Sequence, residues 1–275
     1  MKKNKKTSRI LTKFRPKIRS RHPSHDYLRG NLPLFNFRSV IRFGSTTVIE
    51  NSKERVEINS IEAIKNSSDK LRMKRCFAEF GVRTPEWYHG DSPVEWAADK
   101  YPIVGKHRFG SRGTGNTYIE NEEQLLRFIS NKTLSNYIFE KYYNYVREYR
   151  IHSTQDECFY YCRKMLKSDT PDNERWYRND NNSIWVLPDN ELFDKPANWS
   201  EIEEQAKLAV RAVGLDMAAV DIRVQSTINK KGNKRESSNF VILETNSAPG
   251  LGDIGKDMYK NQIVKMLKEI ENESR

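Results

Sequence analysis

Apolar residues recur at helical spacing in some stretches of this chain and in short β-branched runs in others. Val40-Ile41-Arg42-Phe43 predicts a short strand, closed by Gly44-Ser45. Asn59 or Ser60 caps a short helix with Glu62 in its first turn. Ser68 or Asp69 caps a second helix, with Leu71, Cys76, Phe77 and Phe80 near helical spacing. Gly81 stops that helix and Pro85 enforces the exit. "YPIVGK" (101–106) predicts a strand, "HRFGSRGTGNT" a Gly-rich loop, and Glu122 to Ser130 a helix. "NYIFEKYY" and "REYRIHSTQDECFYYCRKML" predict strands, and 167–198 reads as irregular. Trp199 to Val213 is an amphipathic helix ended by Gly214. "AAVDIRVQ" and "NFVILETN" predict strands joined by a polar hairpin-type loop, and a last helix covers about 257–272. Strands with short polar connections mixed with helices predict an α+β fold, not a βαβ repeat.

Charge changes this picture at one end only. Residues 1–30 hold eleven Lys/Arg and one acid, so they carry +10 of the chain's +11. This predicts a basic, flexible arm over 1–30, solvated or anchored on a polyanion such as nucleic acid. At 275 residues, 36% hydrophobic and 31% charged, the chain has ample length for a core. No apolar run is long enough for a membrane span, and no apolar segment follows the basic start as in a secretory signal. Cys76, Cys158 and Cys162 form no CxxC pair, which fits ordinary thiols in a reducing, cytoplasmic setting.

The chemistry concentrates at strand ends. In "FVILETNSAPGL", Glu244 and Asn246 are two residues apart and share a strand face. In "AAVDIRV", Asp221 lies mid-strand among apolar neighbours, where an unpaired carboxylate is costly. Either Arg223, on the same face, neutralises it, or Asp221 joins Glu244 and Asn246 around Mg2+, which takes oxygen ligands. Upstream, Lys106 ends an apolar strand and "GSRGTG" (110–115) follows, where glycines let backbone N–H groups approach phosphate oxygens. It is not a P-loop, since no GK[ST] follows. "YIFEKYY" turns polar at Glu140-Lys141, and Glu148 follows eight residues after Glu140.

The order Lys70, Lys106, Gly-rich loop, Glu140, Glu148, basic strand, Asp221, Glu244-x-Asn246 resembles the ATP-grasp superfamily, and within it the RimK-like carboxylate–amine ligases. The resemblance covers roughly residues 58–270, and "LETNSAPGL" matches best. It implies two α+β lobes with ATP sandwiched between their sheets, and a hinge near 139–148. A segment over 31–66 would be a reduced form of the family's preceding domain, with 67–275 as the ATP-grasp domain. Lys70, Lys106, Gly110, Ser111, Gly113, Gly115, Glu140, Lys141, Tyr142 and Glu148 would hold the nucleotide. Asp221, Glu244 and Asn246 would hold Mg2+, two ions by the resemblance, with Mn2+ as a substitute. Arg150, Lys164 and Arg223, with Arg163, would stand near the γ-phosphate. Arg108 and Arg112 would close on phosphate or be solvated. The implied activity is an ADP-forming ligase joining a small-molecule or peptide carboxylate to an amine. Two alternatives remain at this point: a phosphotransferase of the same fold, and a polyanion-binding protein that retains it.

Overall fold

The structure, a computed structural model, describes residues 12–48, 55–110, 113–229 and 231–273. Two compact units divide the chain, Met1–Ile58 with Gly250–Arg275, and Asn59–Pro249. The sequence placed boundaries after 30 and 66 and kept the C-terminus in one large domain. By its contacts the last helix belongs instead with the N-terminal residues.

The first unit starts with β1 (Lys17–Arg19), α1 (Asp26–Asn31), β2 (Arg38–Arg42) and β3 (Arg55–Ile58). The three strands form a parallel sheet in the order β1-β2-β3. The basic stretch is therefore not a flexible arm throughout. Ile18 alternates inward between two exposed basic residues and pairs with Ile41, while residues 1–11 lie outside the described part. Inside this unit His25 is fully buried and stacks on Phe43 at 4.1 Å between ring centres.

The second unit begins with α2 (Ile61–Ser68), α3 (Lys70–Phe80), β4 (Trp87–Tyr88) and α4 (Pro93–Ala97). Of the two caps considered for each helix, Ser60 caps α2 and Asp69 caps α3; each side chain accepts from a backbone N–H of the first turn. Gly81 ends α3 at φ 71°, a left-handed conformation that disfavours any residue with a Cβ. Next come β5 (Ile103–His107), β6 (Thr117–Ile119), α5 (Glu122–Ser130) and β7 (Tyr137–Lys141). They make an antiparallel sheet in the order β4-β7-β5-β6. One face buries Ile103, Ile119 and Phe139 against Leu125 and Phe128 of α5. The alternate residues Val104, Lys106, Ile138, Glu140 and Tyr118 share the other face by register.

The larger sheet contains β8 (Arg147–Thr154), β9 (Cys158–Leu166) and β10 (Ser183–Val186). After α6 (Trp199–Val213) it is completed by β11 (Met217–Val224) and β12 (Phe240–Asn246). The order is β10-β9-β8-β11-β12, antiparallel throughout. The strand β10 lies inside the stretch the sequence left irregular. Its neighbours, rich in Asn, Asp and Pro, masked a four-residue run that pairs with the end of β9. One face of this sheet packs Tyr149, Ile151, Val220, Ile222, Phe240 and Ile242 against α3 and α6. Each such aliphatic side chain contributes about 1.5–3 kcal/mol on burial. The chain then returns to the first unit in α7 (Asp253–Glu273), which starts earlier than the sequence pattern suggested.

One irregularity decides which residues face where. Phe240, Ile242, Glu244 and Asn246 are all two apart, so a regular strand would put all four on one face. The register against β11 slips by one between Asp221 and Ile222, leaving Leu243 as the extra residue of a β-bulge. Ile242 then opposes Ile222 in the core, while Glu244 opposes Asp221 on the polar face.

Candidate functional site

The helix-free faces of the two sheets carry most of the buried charge in the second unit. The first cluster centres on Glu140. Lys106 Nζ donates to its Oε2 at 2.6 Å, and Lys74 Nζ lies 3.1 Å from its Oε1. Lys74 also donates to the Leu243 carbonyl at 3.2 Å and to the Thr84 hydroxyl. The carbonyl exposed by the bulge thus meets a buried ammonium, which ties the small-sheet cluster to β12. Burial alone would raise the Glu140 carboxyl, but Lys106 and Lys74 outweigh it and hold it down to about 2. Burial, reinforced by Lys106, pulls Lys74 down to about 8 against the attraction of Glu140.

The second cluster runs along the larger sheet. Arg150 binds Asp221 through both ends of its fork, at 2.7 and 2.9 Å. Asn246 Nδ2 donates to Asp221 at 3.2 Å and to Glu244 at 3.4 Å. Burial raises the Asp221 carboxyl, and Arg150 more than reverses this, to about 2. Of the two sequence readings of Asp221, the pairing with Arg223 is not what forms. Residues opposite each other across strands meet, and Asp221 opposes Arg150 of β8, whereas Arg223 opposes Glu148. Arg223 Nε donates to Glu148 Oε2 at 3.3 Å, and Lys164 Nζ lies 3.4 Å from its Oε1. Arg163 turns to the helix side and donates to the Leu192 carbonyl. His152 lies on the polar face but is buried; burial first and Arg150 second lower its pKa to about 3, so it stays neutral.

The remaining sequence candidates separate. Lys70 Nζ reaches the Gly110 carbonyl at the start of the Gly-rich loop. Gly110 sits so close under the Thr114 carbonyl that a Cβ there would clash with backbone. Gly113 and Gly115 both have φ of 78°. Ser111 and Arg112 lie outside the described residues. Arg108 is bound to Asp69, Nε to Oδ1 at 3.0 Å, and so braces the cap of α3. Lys141 points away from Glu140, and its Nζ is 3.5 Å from Glu86 at the surface. Tyr142 anchors the strand exit through its N–H to the Pro102 carbonyl at 2.9 Å.

Sequence reasoning missed Lys74, and it offered Trp185, with Trp176 and Tyr177, only as part of a substrate lid or as packing of a long loop. Lys74 lies on the buried stripe of α3 with Leu71 and Phe77, and a lysine in an apolar stripe was the available signal. Trp185, opposite Lys164, has the Arg150 guanidinium 5.0 Å and the Lys164 ammonium 4.9 Å from its ring centre.

The donor chemistry fits a hard cation. Two carboxylates and an amide stand together at Asp221, Glu244 and Asn246, and Mg2+ uses one or two protein carboxylates together with phosphate oxygens. Among the described residues no group of three or more His, Cys, Asp or Glu is placed to hold a metal alone. Any ion here would therefore share its coordination with a ligand.

No protein-family model matches the chain, and no curated protein matches it. Solved structures do. D-alanine–D-alanine ligase from Bacillus anthracis is 14% identical, with 94% of this chain and 99% of that chain covered, at a TM-score of 0.61. Biotin carboxylase from Campylobacter jejuni, as a β-γ-ATP complex, is 15% identical over 83% of this chain and 54% of that one, at 0.59. The ATP-grasp ligase PsnB, complexed with a minimal precursor, is 15% identical over 78% and 64%, at 0.55. The fold is thus the α+β ATP-grasp fold.

Proposed function

We propose that the protein is an ATP- and Mg2+-dependent, ADP-forming ligase that joins a carboxylate to an amine. The observation that carries this reading is a charge imbalance. Lys70, Lys74, Lys106, Arg150, Lys164 and Arg223 stand against Glu140, Glu148, Asp221 and Glu244. Burying cations in excess is costly unless a polyanion joins them. The excess is also ordered: it gathers at Lys74–Lys106, while carboxylates outnumber cations at Asp221–Glu244. That pattern suits a nucleotide polyphosphate carrying a metal ion.

Val104 and Ile138 share the sheet face of Glu140, are buried there, and would have to be uncovered to pack against the base. Lys106 and Lys74, released from Glu140 in part, hold phosphate oxygens. Asp221, Glu244 and Asn246 hold Mg2+, which neutralises charge on the phosphates. Arg150, fixed by Asp221 on one side and Trp185 on the other, directs its remaining N–H groups at the transferring phosphoryl group. A substrate carboxylate oxygen attacks the γ-phosphorus as the bond to ADP breaks, giving an acyl-phosphate. A neutral amine attacks the acyl carbon, phosphate leaves with the C–O electron pair, and the amine proton passes to solvent. D-alanine–D-alanine ligase and PsnB, similar in fold, are both ligases by name, and the second was solved with a minimal precursor. Small-molecule and peptide carboxylates are both in scope, in a cytoplasmic setting where ATP is available.

The test is binding, then turnover. Millimolar Mg-ATP raises the melting temperature of the wild type, and Lys106→Ala removes most of the rise. Pools of carboxylates and amines then release ADP and yield a condensed mass. Absence of any stabilisation by Mg-ATP overturns the reading.

A further inference from the structure

An open cleft of about 640 Å3 lies at the outer strand of the small sheet. One wall is Tyr118 of β6 with Glu120 and Gln124 at the start of α5; the other is Asp172, Asn173 and Trp176. The volume is in the range of small-molecule sites. Among the described residues no Lys or Arg lines it, in a chain of net charge +11. Glu120 and Asp172 are both exposed, on opposite walls. Among the described residues neither has a cationic partner; Glu120 accepts only from the Gln124 amide, at 3.1 Å. Between them Tyr118 and Trp176 stack at 5.4 Å and 28°.

The cleft is separate from the metal-binding row. Neither Arg150 nor Asp221, Glu244 or Asn246 lines it. It does share Trp176 with the Glu148 cluster. The Trp176 carbonyl accepts from the Tyr145 hydroxyl at 3.3 Å, and from the Tyr142 hydroxyl and Arg223 Nη2 at 3.4 Å each. Three donors thus converge on one carbonyl of this wall. β6 is the edge of its sheet, so the backbone groups on its far side have no strand partner.

We propose that this cleft binds an organic cation, an ammonium or guanidinium group on an apolar stem. A cation entering it meets two carboxylates that have no counter-charge, with aromatic rings for the stem and the charge. An anion meets the same carboxylates as repulsion, and a neutral apolar ligand leaves them uncompensated. Two sources carry this chemistry: a free amine or guanidine, and a Lys or Arg side chain on a peptide. The proposal does not rest on ligase activity, and its test needs no turnover.

The experiment is calorimetric titration of the full chain with pentylguanidinium and with its uncharged counterpart pentylurea. Pentylguanidinium is expected to bind saturably and pentylurea at least tenfold more weakly. The Glu120→Gln, Asp172→Asn pair is expected to weaken pentylguanidinium at least tenfold while leaving the thermal shift by Mg-ADP as in the wild type. That shift also shows that the variant is folded. An end-blocked Lys/Arg pentapeptide binding more than tenfold tighter than pentylguanidinium identifies the peptide as the source; equal affinity identifies the free cation. Equal binding of pentylurea, or an affinity unchanged in the double variant, overturns the proposal.

Discussion

The Glu140 cluster and the Asp221 row belong to one unit and have opposite deficits. At Glu140 one carboxylate lies between two lysines. At Asp221 one arginine serves two carboxylates, with Asn246 between them. Both are built the same way, from cross-strand neighbours on the face away from the helices. Each alone reads as an ordinary buried ion pair. Side by side they show a surplus of positive charge at one end and of negative charge at the other. Balanced pairs stabilise a fold or do nothing for it; unbalanced ones of opposite sign also specify what is missing.

The strongest way to break the comparison is to deepen one deficit. Glu140→Ala leaves Lys74 buried without its carboxylate and is expected to cost about 3–5 kcal/mol by urea unfolding. Replacing both partners, Lys74→Met with Glu140→Leu, should recover most of that loss, since desolvation is no longer required. A double variant as unstable as Glu140→Ala would show that packing, not charge, sets the site.

Acid comes next in size. The Glu140 and Asp221 carboxyls are both held down to about 2, from 4.5 and 3.8. A depressed carboxyl contributes stability that is complete above its unfolded value and is lost as pH falls through its folded value. The loss therefore spans about pH 4.5 to 2, and for Glu140 is of order 3 kcal/mol. Lys74 is lowered too, so its slope has the same sign in a higher window, although here burial penalises the charged form instead of a partner favouring it. Between about 8 and 10.5 the unfolded chain binds the extra proton, so stability from this group rises with pH there. Unfolding midpoints of wild type and Glu140→Gln, followed from pH 7 to 2, should converge; parallel curves would refute the assignment.

A milder change sharpens the other side. Glu244 is half-buried and accepts a long hydrogen bond from Asn246, at 3.4 Å, so Glu244→Gln should change stability by less than about 1 kcal/mol. The Mg2+ concentration needed for half of the ADP-induced thermal shift should nevertheless rise roughly tenfold, as one charged ligand is lost. An unchanged Mg2+ requirement removes Glu244 from the metal set. The smallest effect sets the baseline: Glu123→Gln breaks an exposed pair with Arg127 at 2.8 Å and should cost about 0.3–0.5 kcal/mol.

Much of this was visible in the chain itself, for reasons that differ by element. α5 and α6 follow the sequence pattern to the residue, because Asn121 and Gly214 are strong local signals at their ends. Asp221, Glu244 and Asn246 meet as their spacing suggested. The partner of Asp221 was not legible, because alternation ranks Arg223 with it while only strand order brings Arg150 opposite. β10 was hidden by its polar flanks, and with it the position of Trp185 opposite Lys164. Lys74 reads as one lysine among many until its stripe is traced.

The extra residue in β12 gives the site a rule of length. The strand has an apolar half and an oxygen-bearing half whose side chains all fall at even positions, and only Leu243 changes their parity. Substituting Leu243 by another apolar residue keeps that parity. Keeping Leu243 but pairing the strand without the bulge would send Glu244 and Asn246 to the helix side, whereas removing Leu243 would leave both on the polar face by simple alternation. A related sequence one residue shorter at this point can therefore keep the site. Spacing counted from Asp221 across the ladder, not identity along β12, is what has to be preserved.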